Sequence, residues 1–104
     1  MKKYLKAAGW KESKNNDVLD KQFYLQDITY EQGEYSSLGN VVTDRTESYI
    51  LFLKNFDIDS FQTKIESILN SALNDGVGIV EAPSVIAERE ENGYQLTLTF
   101  TIRS

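Results

Sequence analysis

Between Asp57 and Gly76 the apolar residues Ile58, Phe61, Ile65, Ile68, Leu69, Ala72 and Leu73 follow one another at helical spacings. An α-helix turns once in about 3.6 residues, so this pattern gathers all seven on one side. Asp57 is placed to cap the first turn, and Asp59 sits beside the positive end of the helix dipole. Asn74-Asp75-Gly76 supplies the stop, with Gly76 free to adopt the left-handed conformation after the last turn. A helix with one apolar face cannot bury that face by itself, so the segments around it must supply a sheet to cover it.

Three segments read as good strands. In Tyr94–Arg103, Tyr94, Leu96, Leu98, Phe100 and Ile102 alternate strictly with Gln95, Thr97, Thr99, Thr101 and Arg103. One face meets the core, and the threonine face meets water or a neighbouring subunit. Ser48–Phe56 is almost continuously apolar and reads as the central strand. Phe23–Tyr30 is rich in aromatic and β-branched residues but alternates imperfectly, with Phe23 and Leu25 on one face and Tyr24, Ile28 and Tyr30 on the other. Val77–Glu90 holds two strand segments broken at Ala82-Pro83-Ser84, because proline cannot donate to a ladder. Asn92-Gly93 predicts a two-residue hairpin turn that sets Ala87 opposite Leu98 and Val85 opposite Phe100. The expected fold is α+β, a small mostly antiparallel sheet of about four strands packed on one main helix, with a short N-terminal helix. Residues 1–104 form one domain: a short helix and linker over 1–21, then the α+β core over 22–103.

The N-terminal turns carry Tyr4, Leu5 and Ala8 on one side, end at Gly9, and leave Trp10 as a core or lid anchor. Lys11–Lys21 reads as an exposed connection. Glu31–Glu47 reads as a long loop with little periodic pattern. Tyr35, Leu38, Val41 and Val42 are unsuited to permanent exposure there, so the loop either becomes ordered on a partner or folds back over its own core.

The chain has no Cys and no His, which excludes thiolate or imidazole metal sites, Cys and Ser–His nucleophile systems, and disulfides. No cofactor is expected and no enzymatic activity. The net charge of −5 disfavours a phosphate-binding surface, so no specific nucleic-acid binding is expected. The chain has no apolar run long enough to span a membrane, and the basic start lacks the apolar segment of a signal peptide. Asp57 and Asp59 are explained by capping, and Glu88, Glu90 and Glu91 by a solvated hairpin tip. Gly76-Val77-Gly78 lacks the third glycine of a dinucleotide fingerprint. Asp44-Arg45-Thr46-Glu47 is either a local ion pair or, through Arg45, an ion pair between subunits.

The order of elements resembles that of tailed-phage tail terminator (tail completion) proteins. The residues carrying the resemblance are the Phe23–Tyr30 strand, Thr46–Phe56 leading through Asp57 into Phe61–Leu73, Gly76–Val80, and the closing Glu91–Phe100 strand. It implies a structural protein of the virion tail, assembled in the host cytoplasm as a homo-oligomer, a hexameric ring. Such a ring caps the tail tube protein and offers a docking surface to the head–tail connector protein. Tyr35, Leu38, Val41, Val42, Arg45, Thr97, Thr99 and Thr101 are the expected partner and subunit contacts. Other readings are a different head–tail or minor tail component, and a small monomeric binding module with a pocket lined by Trp10, Tyr24 and Tyr30. Members of the family often begin with a longer helix than Lys2–Ala8 allows.

Overall fold

The computed structural model describes residues 1–14, 17–35 and 41–103. The elements in order are α1 (Lys2–Ala7), β1 (Lys11–Glu12), β2 (Gln22–Tyr35), β3 (Val41–Leu53), α2 (Ile58–Asn74), β4 (Gly78–Ile79), β5 (Ser84–Glu90) and β6 (Gly93–Arg103). The four-strand sheet on one main helix is not what forms. The sheet is mixed, has six strands, and curls strongly into a half-barrel accompanied by two helices. Its order is β1-β2-β3-β6-β4, with β5 also on β6. β1 pairs parallel with β2, and the remaining ladders are antiparallel.

Both helices end in the same backbone motif. At α2, Gly76 (φ 84°) donates to the Leu73 carbonyl and Val77 to that of Ala72. At α1, Gly9 (φ 101°) donates to Lys6 and Trp10 to Leu5. A left-handed residue just past the helix turns the chain sharply and satisfies the last carbonyls. At α1 that turn sends Trp10 into the core, where it is buried with Leu5. The start of α2 is capped as its sequence suggests, the Asp57 carboxylate accepting from the Asp59 amide at 3.2 Å. Phe61, Ile65, Ile68 and Ala72 are its buried residues, whereas Ile58 and Leu73 lie at its exposed ends.

The concave face of the half-barrel holds the core. Register places Phe23, Leu51 and Leu96 in one row and Leu25, Tyr49 and Leu98 in the next. The rings of Phe23, Tyr49 and Phe100 meet edge to face across the strands, at 5.9 and 6.1 Å between centroids. The imperfect alternation of β2 is settled by a bulge between Leu25 and Asp27. One extra residue reverses the side-chain phase, so Ile28 and Tyr30 continue the face of Phe23 and Leu25 instead of opposing it. The convex face carries Tyr24, Ile50, Thr97 and Ile86 in one cross-strand row. Ile50 there is buried yet lies outside the core cluster.

Two expectations about connections are corrected. Glu31–Glu47 is not a long loop, because β2 runs on to Tyr35 and β3 begins at Val41. The β5–β6 turn falls on Glu91-Asn92, with Glu90 paired to Gly93, so Ala87 faces Leu96 and Val85 faces Leu98. A two-residue displacement keeps every side chain on its intended face. Gly93 instead enters the strand, where a Cβ would sit 2.6 Å from both the Leu53 carbonyl oxygen and the Phe52 ring. Backbone cannot yield as a side chain can. Gly93→Ala is expected to cost about 1–3 kcal/mol in chemical denaturation, and a neutral result would show that the hairpin is free to shift away from β3.

Candidate functional site

β3 and β2 outrun the rest of the sheet. β6 stops at Arg103, opposite Asp44, and beyond that row only β2 and β3 pair, through Gln32 with Thr43 and Tyr35 with Val41. The molecule is elongated as a result, 51 × 24 × 21 Å, with a radius of gyration of 14.8 Å; a compact chain of this length has about 13 Å. Toward this end the concave face loses its apolar cover. Ile28 is 37% exposed and Tyr30 68% exposed, and with Met1, Leu25, Arg45 and Glu47 they line an open hollow.

The floor of that hollow is an ion cluster. Glu47 is the one buried charged residue among those described, and it accepts from the Met1 amino group at 3.0 Å and from Arg45 Nε at 2.6 Å. The Tyr49 hydroxyl donates to the same carboxylate. Burial alone pushes the Glu47 carboxyl up, but hydrogen bonds from Tyr49 and the Met1 amino group, with Arg45 beside them, outweigh it and hold the group below the ordinary glutamate range. The Tyr49 phenol is driven far above its usual value, first by burial and then by its bond to Glu47, so it stays a donor. Arg45 sits opposite Tyr30 on one side and Ile102 on the other, so one edge of the cluster is open to the hollow.

The contacts expected from sequence are not gathered into one place. Tyr35 and Val41 pair through their backbones at the far end of β2 and β3, and Val42 follows in β3. Leu38 lies outside the described residues. Arg45 is engaged within its own chain, with Glu47, and Asp44 receives Arg103 at 3.0 and 3.3 Å. Thr97, Thr99 and Thr101 lie half-buried on the convex face, away from the hollow. There Thr99 shares a 3.1 Å hydrogen bond with Ser48, and Thr101 donates to Glu81. Trp10 and Tyr30 line different hollows, so the aromatic ligand pocket of the binding-module reading does not form from them. Sequence reasoning does not single out Ile28, names Tyr30 only for the pocket of the binding-module reading, and names Glu47 only within the local ion pair that Arg45 does make with it. Their signal is the odd-numbered series Arg45, Glu47, Tyr49, Leu51, Leu53 in β3, which puts two charges on the core face.

Charge is divided unevenly along the chain. Residues 1–21 hold six of its 11 basic side chains and three of its 16 acidic ones, and residues 22–104 hold the other five and thirteen. The basic share lies beside β1, where Lys6, Lys11 and Lys14 ring one hollow with Trp10. Lys2 and Lys6 converge on Glu12 at 2.6 and 3.1 Å, and their hydrogen bonds, that of Lys2 foremost, lower its carboxyl. Among the described residues no group of acidic side chains is arranged to hold a metal, and no helix is long and apolar enough to cross a membrane. No protein-family model matches the chain, and a search of curated proteins finds no match.

Proposed function

We propose that the chain is a structural assembly protein, and more narrowly a tail terminator of a tailed phage or prophage. In this role copies form a ring on the end of the tail tube and offer their outer rim to the head connector. The observation that carries the reading is the uncovered end of the half-barrel. Ile28 and Tyr30 are large, exposed side chains presented in line with the core on the paired strands β2 and β3, in an open hollow that only the first residues of α1, Lys2 and Lys3, border from the helix side. Such a surface is built for a macromolecular partner, since the hollow beneath it is too open to enclose a small molecule. Ring formation and tube binding are carried over from the family resemblance, and the open, two-edged sheet supports them by offering strands for assembly.

The test is light scattering of the purified chain across a concentration series, alone and with tail tube protein. The expected result is an assembly of about six copies, alone or on the tube, that Tyr30→Ser weakens about tenfold or more, as loss of a buried aromatic anchor does. A chain that stays monomeric and ignores tube protein would overturn the terminator reading.

A further inference from the structure

The two lateral edges of the sheet carry opposite charge. On one side are α1 and β1, with Lys6, Lys11 and Lys14 around one hollow. On the other is β5, whose seven residues are all exposed and which ends in Glu88, Arg89 and Glu90, followed at the turn by Glu91. Three strands, β2, β3 and β6, separate the two edges. Along the sheet that is about four spacings of roughly 4.8 Å, while at the hairpin tip Asp17 and Val18 of the connection after β1 border one hollow with Glu90 and Glu91 and add a further acidic group there. On the basic edge Lys2 and Lys6 pair with Glu12 and Lys3 with Asp75, which leaves Lys11 and Lys14 as the charges it turns to solvent, and none of these ion pairs among the described residues reaches β5.

We infer that the occupant of each edge is a second copy of this chain, docked head to tail, with the acidic β5 edge of one protomer against the lysine-rich β1 edge of the next. This rests on the assembly reading above and specifies its contact. Strand direction permits it. β1 runs parallel to β2, and β5 runs antiparallel to β6, so a neighbour's β5 arrives antiparallel to β1. The exposed Val85 and Ile86 of β5 (38% and 57%) would be covered in the joint. A contact between two different edges leaves one edge of each kind unused, so it propagates until a ring closes. The positive edge is also the reason that a chain with a net charge of −5 is able to associate with itself.

Charge reversal on each edge tests the inference. Lys11→Glu with Lys14→Glu makes both edges acidic, and Glu88→Lys with Glu90→Lys makes both basic. All four side chains are solvent-facing, and circular dichroism checks that each variant keeps its fold. In native mass spectrometry and light scattering at low salt, each variant alone is expected to remain monomeric, while an equimolar mixture regains the assembly. The unaltered protein is expected to lose about tenfold or more in apparent affinity between 0.05 and 0.5 M salt, as charge-driven contacts do. The inference fails if the unaltered chain is monomeric throughout, if either variant assembles normally alone, or if mixing restores nothing. Assemblies that obey the charge reversals but never engage tube protein would sink the terminator reading and leave this contact standing. Tube-bound rings indifferent to the reversals would do the opposite.

Discussion

Replacing Glu47 with Gln is expected to lower stability by about 3 kcal/mol at neutral pH, because removing one member of a buried ion cluster leaves its partners uncompensated. The Met1 side chain is 1% exposed and its amino group faces Glu47 at 3.0 Å, so the variant leaves that amino group without its counter-ion in a part-buried place. Arg45 is 38% exposed and can swing outward, which limits the damage from that side. Tyr49→Phe keeps the charges and removes one donor, so it should cost less, about 1.5–3 kcal/mol for a hydrogen bond to a charged group. The pH dependence has a definite sign. The Glu47 carboxyl is held below its ordinary value of 4.5 in the folded chain. Its contribution is therefore complete above that value and drains away as pH falls through the lower, folded-state one. Urea denaturation from pH 7 down to about 3 should show wild type losing this increment, while the Gln variant, having nothing there to protonate, follows a flatter course. Parallel curves for the two proteins would mean that Glu47 is not the group that the cluster stabilises.

That cluster shows where sequence reasoning stops. The α2 helix and strand β6 were legible because each obeys one period over its whole length, 3.6 in one and 2 in the other. β1 is two residues long, too short to impose any period, and lies in a stretch that reads as an exposed connection. The strand segment expected before Ala82 shrinks to the two residues of β4, so the curl and extent of the six-strand half-barrel leave little mark in the pattern. The outer halves of β2 and β3 escaped for a different reason. Glu31 and Asp44-Arg45-Thr46-Glu47 have the composition of a loop, and only pairing across the hairpin makes them strand. The bulge after Leu25 then hid the continuity of Phe23, Leu25, Ile28 and Tyr30, because a single added residue breaks a period of two. The exposed apolar end of the half-barrel, the surface on which the proposed function rests, lies just where these two effects overlap. The charge on the two sheet edges was also unreadable from the chain alone, since it depends on which strands end up outermost.

The largest effect is expected from Phe100→Ala, about 3–5 kcal/mol, the usual cost of emptying an aromatic site in a core. Phe100 is 1% exposed and leans its ring against Tyr49, which in turn meets Phe23, so a diagonal line of rings spans three neighbouring strands. A domain of this size has a total stability of about 5–15 kcal/mol, and a loss on that scale removes much of it. The same ring also packs beside the ion cluster, since Phe100 is the register partner of Glu47 on β3. Phe100→Ala and Glu47→Gln should therefore fail to add: a cavity at Phe100 admits water to the cluster and lowers what Glu47 contributes. The double variant is expected to lose at least about 0.5 kcal/mol less than the sum of the two single losses, the size at which contacting residues show coupling. Denaturant midpoints for the four proteins decide it. Strict additivity would show that the apolar core and the charged end of the half-barrel are energetically separate. In that case the open hollow at Ile28 and Tyr30 could be reshaped by a partner without loosening the fold beneath it.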